Sequence, residues 1–367
     1  MDESVNLAAW VVWGGFGLAL LLGFVAARTN FCTMGAISDV VNMEHWGRVR
    51  MWLLAIAVAM IGTNLLYFVD LIDLSKSIYQ RPSLPWLSML VGGALFGVGM
   101  TLAGGCANKN LLRLGGGSLR SLVGLVFVAI SAYMTLKGLF GQWRSSFLDP
   151  VAIDLSGLGM QGQSLSHLLA ALTGLPAKTA LLAATAIVVL ALLIFVFKDK
   201  RFRATGEQVI GGVILGLIIT AGWYLTGHIG FAENPETLEL TFFGTSSRTL
   251  ESMSFVAPVA YTLELLMLWT DKSLRLTFGV ATVLGVTLGS LIYALGARKF
   301  RWEGFASVED LGNQIVGGLL MGFGGVTAMG CTIGQGMTGI STLAIGSFIA
   351  LSGIVAGSVA TMKWQQR

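Results

Sequence analysis

The sequence predicts an all-α polytopic membrane protein with about nine transmembrane helices and short re-entrant half-helices arranged as an inverted repeat. Of its 367 residues, 54% are hydrophobic and only 11% are charged, and the mean hydropathy is +0.77. Soluble domains carry about 25% charged residues, so this chain cannot cover an ordinary aqueous surface. A glycine-rich segment that ends in cysteine also occurs twice. The composition excludes a disordered chain, a nucleic-acid-binding protein and a secreted disulfide scaffold.

Nine apolar runs are long enough to cross a bilayer, because about 20 apolar residues suffice for a transmembrane helix. They occupy 7–27, 51–69, 84–105, 118–141, 179–197, 209–226, 275–296, 313–330 and 339–362. A tenth run at 253–269 is shorter and contains Pro258 and Glu264. Asp2 and Glu3 stand where a signal peptide has basic residues, so we expect no cleaved signal.

The distribution of Lys and Arg favours nine crossings over ten. If 253–269 does not cross, 15 of the 23 basic residues fall on one face and the remaining 8 on the other. If it does cross, the division becomes about 12 against 11. Because cytoplasmic loops retain basic residues, we predict an outer N-terminus and a cytoplasmic C-terminus.

An internal repeat relates the two halves of the chain. Residues 91–106 read VGGALFGVGMTLAGGC and residues 316–331 read VGGLLMGFGGVTAMGC, with nine of sixteen positions identical at an offset of 225. The same offset places Asp39 on Glu264, so the short run at 253–269 corresponds to a half-helix in the first half. Both segments are therefore predicted not to cross the bilayer.

This repeat divides the chain into a first half at 1–141, a linker with the fifth span at 142–208, and a second half at 209–367. The halves are five spans apart, an odd number, so they point in opposite directions through the bilayer. Inverted repeats with broken helices are typical of transporters, whose site lies near the midplane. The repeated glycines can also be explained by helix packing alone, because small residues four positions apart let two helices approach closely. The glycines with this spacing are Gly93, Gly97, Gly318 and Gly322.

The three cysteines share one local frame, in which each follows an apolar span and precedes a short, more polar stretch. The segments are RTNFCTMG around Cys32, AGGCANKN around Cys106 and AMGCTIGQ around Cys331. Gly105 and Gly330 allow a sharp turn and a close approach of the backbone to a ligand. A half-helix that begins there directs its N–H groups and its positive dipole end at the break, which favours an anion.

Alternatives to a thiol-lined site carry less weight. A single buried cysteine is usually inert packing, but two of the three occupy equivalent repeat positions. An odd count argues against a disulfide framework. Since His45, His167 and His228 lie near no cysteine in the sequence, we expect neither a metal nor a cofactor.

Neutral thiols beside helix N-termini match an anion that carries a soft sulfur atom. Its oxygens would accept hydrogen bonds from N–H groups, and the polarizable S–H groups would contact its sulfur. Asn108 and Gln335 are the first amides after Cys106 and Cys331, so they are candidates for holding anion oxygens or for capping helix ends. No covalent chemistry is required.

Four charged residues are weaker candidates. Arg28 and Lys109 would attract an anion, or they belong to the basic cytoplasmic rim. Asp39 and Glu264 occupy equivalent repeat positions, and ionisable residues near membrane segments are functional candidates by default. They would either couple transport to protons or have a structural role. We favour the structural role.

The pattern GG-x-LFG-x-G…GGC and GG-x-LMGFG…MGC, with RTNFC before it, resembles the YeeE/YedE family of sulphur-compound transporters over nearly the whole chain. The resemblance implies an inner-membrane permease of bacteria or archaea, not an enzyme. It also implies that thiosulfate passes along a narrow central path by S–H···S contacts, and it assigns that path to Cys32, Cys106 and Cys331. It further implies a small soluble sulfur-carrier protein of the TusA type as a partner.

Three alternatives remain open at this point. The first is a permease for another sulfur or selenium species. The second is a membrane-embedded sulfurtransferase in which one cysteine forms a persulfide. The third is a structural subunit of a larger complex.

Overall fold

The computed structural model describes residues 2–158, 160, 162–235 and 237–366 and is mainly helical. Its helices are α1 (Asp2–Arg28), α2 (Thr33–Met43), α3 (Gly47–Phe68), α4 (Trp86–Leu102), α5 (Ala107–Gly115), α6 (Leu119–Lys137), α7 (Leu139–Trp143), α8 (Leu165–Thr173), α9 (Ala177–Phe197), α10 (Lys200–Ala204), α11 (Gly206–Tyr224), α12 (Val256–Met267), α13 (Phe278–Gly296), α14 (Val308–Thr327) and α15 (Ile345–Gln365). Two short antiparallel strand pairs lie in loops: β1 (Ser83–Leu84) with β2 (Ile153–Asp154), and β3 (Phe231–Glu233) with β4 (Leu240–Phe242). The predicted all-α class is confirmed.

Eight helical segments of the described chain are long and apolar enough to cross a membrane, which confirms a multi-pass membrane protein. They coincide with eight of the predicted spans. The remaining predicted span, at 313–330, falls on α14, a 20-residue helix with Glu309 and Asp310 in its first turn. The run at 253–269 forms α12, which has only 12 residues. Such a helix is too short to cross a bilayer, and the total of nine spans stays a prediction.

The fifth span differs from the others in what surrounds it. Helix α9 is apolar all round, and most of its side chains are exposed, including Ile187, Leu190 and Ile194. A helix of this composition is stable with lipid on its free faces. It packs against α3 and α8 at the edge of the bundle, as expected of a linker between two halves.

The glycine-rich helices form the centre of the bundle by close packing. A Cβ atom at Gly93 would lie 2.3 Å from the carbonyl oxygen of Ala350, and one at Gly97 would lie 2.2 Å from that of Ile354. Side chains at either position would force α4 away from α15. The packing interpretation of the repeated glycines is therefore correct for this pair, because only glycine permits these distances.

Helix pairing follows the pattern that the repeat predicts. Helix α4 packs on α15 as α14 packs on α6, and α1 packs on α13 as α11 packs on α3. Each pair becomes the other when the elements of one half are exchanged for their counterparts in the second. The inverted repeat and the boundaries 1–141, 142–208 and 209–367 stay predictions, and this pairing agrees with them.

Contacts between loops define two faces of the bundle. The C-terminal face, where α15 ends, is connected by the pairs Gln366–Asn42, Arg28–Glu207, Arg120–Asp310 and Arg301–Gly116. The opposite face is connected by the pairs Lys178–Asp70, Leu165–Leu343, Leu250–Lys76 and Lys137–Glu264. Every one of these contacts joins segments that the nine-span prediction places on the same side of the membrane.

Candidate functional site

Helices α1, α4 and α14 end in the same turn, and each turn stands directly before a cysteine. The residue two positions before the cysteine has a left-handed backbone: φ is 50° at Asn30, 67° at Gly104 and 58° at Met329. The amide that follows donates to the carbonyl five residues back, in the pairs Phe31–Ala26, Gly105–Met100 and Gly330–Gly325. This arrangement is a Schellman-type helix ending, so the similar sequence frames around the cysteines correspond to one repeated backbone structure.

Each cysteine then begins the next short helical segment. The Cys32 sulfur accepts a hydrogen bond from the Gly35 amide at 3.3 Å, and the Cys331 sulfur accepts one from the Gly334 amide at 3.4 Å. Cys106 is likewise the residue directly before α5, but its sulfur accepts no capping hydrogen bond from that helix. The predicted half-helices are thus α2, α5 and, after Cys331, a π-helix at Gly334–Gly339. All three sulfurs lie at positions where unpaired helical N–H groups converge.

The three thiols form one buried cluster. Their residues are 7%, 1% and 0% exposed for Cys32, Cys106 and Cys331, and none is in a disulfide. Cys106 lies within electrostatic range of both other thiols. The side chain of Thr332 lies next to the Cys106 thiol, although the geometry falls short of a regular hydrogen bond. Cys106 therefore connects the segment after α1 with the segment after α14.

The glycines before two of the cysteines have little free space around them. A Cβ atom at Gly330 would lie 3.0 Å from Cγ and 3.1 Å from the backbone nitrogen of Gln335. At Gly105 the nearest atoms would be Cγ and Cβ of Lys109, at 3.0 and 3.1 Å. The left-handed residues are Gly104 and Met329, one position earlier, so the sharp turn predicted at Gly105 and Gly330 begins one residue before them.

The predicted amide residues have different surroundings. The Gln335 amide nitrogen donates to the Ala328 carbonyl, and the Asn110 amide nitrogen donates to the Gly105 carbonyl at 3.1 Å. Each bond holds a turn in place. Asn108, by contrast, is 2% exposed and its Oδ1 has no partner among the described residues. In both predicted amides the unpaired atom among the described residues is an oxygen, Asn108 Oδ1 and Gln335 Oε1, which accepts hydrogen bonds and does not itself bind an anion. Their role in binding stays a prediction.

Two hydroxyl groups next to the thiols were missed by sequence analysis. Thr33 and Thr332 each follow a cysteine, are buried, and have an Oγ1 without a partner in the part of the chain that the structure describes. Buried hydroxyls normally find a partner, so both are available for a ligand. The signal was their position directly after Cys32 and Cys331, but threonine is also common in helix packing.

Cations surround the cluster on the side of the C-terminal face. Lys109 donates to the Asn30 side chain at 2.7 Å and is within electrostatic range of Cys32 and Cys106. Arg113 lies close enough to the turn that a Cβ atom at Gly104 would be 3.5 Å from its Nη1. Arg28 instead forms an exposed ion pair with Glu207, so of the two predicted basic residues only Lys109 lies at the thiols.

A cavity of about 440 Å³ lies on the side of the opposite face, and none of the three cysteines lines it. Its wall includes Gly330 and Met329 of the turn before Cys331, the hydroxyl residues Thr327, Tyr79 and Ser254, and the charged residues Arg81, Arg144, Asp149 and Glu251. A Cβ atom at Gly334, whose amide binds the Cys331 sulfur, would lie 2.7 Å from Ser254 Oγ and 3.6 Å from Tyr79 Oη.

The hydroxyl groups of this wall are neutral hydrogen-bond donors. Burial raises the pKa of Tyr79, so its hydroxyl keeps its proton and is a donor. Thr327 is buried with an unpaired Oγ1 among the described residues. Tyr79 and Ser254 were also missed, because both are far from the cysteines in sequence.

The two acidic residues at equivalent repeat positions form ion pairs. Asp39 is 2.7 Å from Arg48, and Glu264 is 2.7 Å from Lys137. Glu264 also accepts a hydrogen bond from Tyr133 at 3.0 Å. Each carboxylate fastens a short helix, α2 or α12, to a neighbouring segment, which agrees with the structural role that we favour.

Together these features define a class: a polytopic membrane protein with a buried cluster of three thiols between a cavity and a cationic end. The chain belongs to the Sulphur transport family, which matches residues 28–360. This confirms the resemblance to YeeE/YedE proteins, and a transport family agrees with the prediction that the protein is not an enzyme.

Two curated relatives resemble the chain over almost its whole length. The thiosulfate transporter TsuA of Escherichia coli (strain K12) is 27% identical over 371 residues, which cover 96% of this chain and 94% of the relative. TsuA of Spirochaeta thermophila is 26% identical over 368 residues, which cover 96% and 98%.

Proposed function

We propose that this protein takes up thiosulfate across the cytoplasmic membrane along a path formed by Cys331, Cys106 and Cys32. The observation that carries the proposal is the repeated turn that buries three free thiols in one cluster between a cavity and a cationic end. The names of the two relatives supply the substrate. The cavity faces the outside, and the C-terminal face is cytoplasmic, in agreement with the distribution of basic residues.

The surroundings of the thiols suit the two ends of thiosulfate. Its terminal sulfur is large and polarizable and accepts S–H···S contacts from neutral thiols. Its oxygens accept hydrogen bonds from the unpaired hydroxyls of Thr33 and Thr332. A dianion that loses water at this depth is stable only where such donors replace its hydration shell. Each step is a transfer between donor groups and needs no covalent bond.

The order of transfer follows from what lies beside each thiol. Cys331 is adjacent to the cavity through Gly330 and Gly334, and Cys106 lies near both other thiols. Cys32 is beside Lys109, so it is the last thiol of the path, and the anion leaves from it to the cytoplasm. A TusA-type carrier that accepts thiosulfate at the C-terminal face is part of this proposal and rests on the resemblance alone.

The test is uptake of labelled thiosulfate by proteoliposomes that contain the purified protein or one variant. We expect Cys106→Ala and Cys331→Ala to lower uptake at least about tenfold, and Cys106→Ser to retain part of it because serine still donates. Thr361→Ala is a matched control, since it removes a buried hydroxyl that bonds only within α15. Undiminished uptake in both alanine variants, with folding intact, would refute the thiol path.

Mass spectrometry after turnover distinguishes the sulfurtransferase alternative. The proposal predicts unmodified cysteines at all three positions. A mass increase of about 32 Da on one cysteine, formed in proportion to turnover, would identify a persulfide. It would show covalent transfer in place of the proposed relay.

A further inference from the structure

The turn before Cys331 contains an irregularity that the turns before Cys32 and Cys106 lack. In the two latter turns the left-handed position is occupied by Asn30 and Gly104, which are the residue types that tolerate it. In the third it is occupied by Met329, with φ of 58°. A long side chain in this conformation costs free energy, and such residues cluster at functional sites.

The side chain of Met329 lies at the wall of the cavity. Met329 and Gly330 both line the cavity, whereas Cys331, two residues after Met329, is 0% exposed. The thioether packs on an apolar cluster that includes Leu84 and Met89. An apolar side chain thus borders the cavity at the turn that leads to the first buried thiol.

We infer that Met329 is a specificity-determining residue, an apolar constriction that makes an anion shed water before it reaches Cys331. This inference rests on the proposed function. Apolar constrictions in channels exclude ions that stay hydrated. Sulfate carries its charge on four strongly hydrated oxygens, whereas thiosulfate presents a weakly hydrated sulfur. The constriction therefore admits thiosulfate, sulfur end first, and rejects sulfate.

The asymmetry of the repeat supports this role. The counterpart of Met329 at an offset of 225 is Gly104, where a Cβ atom would approach only Arg113 and Arg120, at 3.5 and 3.6 Å. The left-handed backbone at Gly104 favours glycine, whereas Met329 stands in the same conformation against that preference. The single bulky residue stands at the end that receives the solute, where selection is useful.

The experiment measures uptake of labelled thiosulfate and of labelled sulfate in proteoliposomes for three proteins: the unmodified chain, Met329→Gly and Met329→Leu. We expect Met329→Gly to raise sulfate uptake relative to thiosulfate at least about tenfold. Met329→Leu retains an apolar side chain and should restore discrimination to within about twofold of the unmodified protein. Leu238→Gly is the matched control, because Leu238 is left-handed and exposed and does not line the cavity.

Each outcome decides the inference. If Met329→Gly excludes sulfate as well as the unmodified protein, or if it is folded and transports neither anion, the constriction is refuted. If the unmodified protein does not transport thiosulfate, the proposed function is refuted, and the inference is refuted with it because it rests on that function. Thermal unfolding verifies that each variant is folded. Should Met329→Gly not fold, Met329→Ala truncates the same side chain and carries the same expectation.

Discussion

The turns before Cys106 and Cys331 have the same backbone and opposite surroundings. Both end a glycine-rich helix with the same hydrogen bonds, and both lead into a thiol that begins a helical segment. The turn at Cys106 lies under the cations Lys109 and Arg113. The turn at Cys331 borders a cavity in which the neutral donors Tyr79 and Ser254 lie next to Gly334, and whose wall carries charged residues of both signs.

Under the proposed function, this difference gives the path its direction. The repeat supplies two equivalent breaks, each with a thiol at the start of a helical segment, but it does not distinguish one side of the membrane from the other. The side chains around the breaks make that distinction. In the proposal, neutral donors receive the anion without holding it tightly, and cations at the far end lower its energy there.

The largest effect is expected from adding a side chain at the glycine directly before each of the two cysteines. We expect Gly330→Ala to lower uptake more than about tenfold and to destabilise the protein by about 1–3 kcal/mol, because its Cβ atom meets backbone of Gln335. Gly105→Ala should lower uptake by no more than about threefold, since the nearest atoms to its Cβ are Cγ and Cβ of Lys109 and not backbone atoms.

Uptake and thermal unfolding, measured for the two variants side by side, check this difference. The matched substitutions serve as controls for each other. Equal losses at the two glycines would mean that the two turns are equally rigid, and the structural contrast between them would have no functional consequence.

Much of the fold, including the breaks that the two turns share, was predictable from the sequence, and the reasons are physical. Apolar runs of about 20 residues predict spans, because a helix of this length crosses the hydrocarbon core and satisfies its own backbone hydrogen bonds there. The breaks at Cys106 and Cys331 were predictable because glycine next to cysteine interrupts an otherwise apolar run twice, at one offset. The short helix α12 was predictable from its length and from Glu264.

The surroundings of the thiols were not predictable in the same way. Tyr79 and Ser254 reach Gly334 from loops that are far away in the sequence, and no local pattern marks them. Thr33 and Thr332 have no counterpart at the offset of 225, where Pro258 and Ala107 stand. An internal repeat identifies the residues that two halves share, so it does not identify the residues in which the halves differ.

A smaller effect is expected at the cationic end. Arg113→Gln should lower the initial rate of uptake by about three- to tenfold at low salt, because a positive charge next to the Gly104 turn is lost. In about 1 M salt the Debye length is only about 3 Å, so the difference from the unmodified protein should shrink. Initial rates at several salt concentrations measure both quantities.

The matched control for this variant is Arg203→Gln on α10, which also removes one exposed charge from the C-terminal face but does so away from the thiols. Its rate should stay within about twofold of the unmodified protein. If the two substitutions slow uptake equally, the general charge of the face is responsible, and Arg113 has no special place at the path.

The smallest expected effect sharpens the comparison at the cavity end. Tyr79→Phe removes one hydroxyl next to Gly334 and leaves the ring packed against Trp223, whose centroid is 6.2 Å away. One neutral hydrogen bond contributes about 0.5–1.5 kcal/mol, so the apparent KM for thiosulfate should rise by about two- to tenfold. The maximal rate and the unfolding temperature should hardly change, because the buried thiols are untouched. Tyr293→Phe is the control, since its hydroxyl accepts from Lys299 on the C-terminal face. A lower maximal rate with an unchanged KM would move Tyr79 from receiving the anion to a later step along the path.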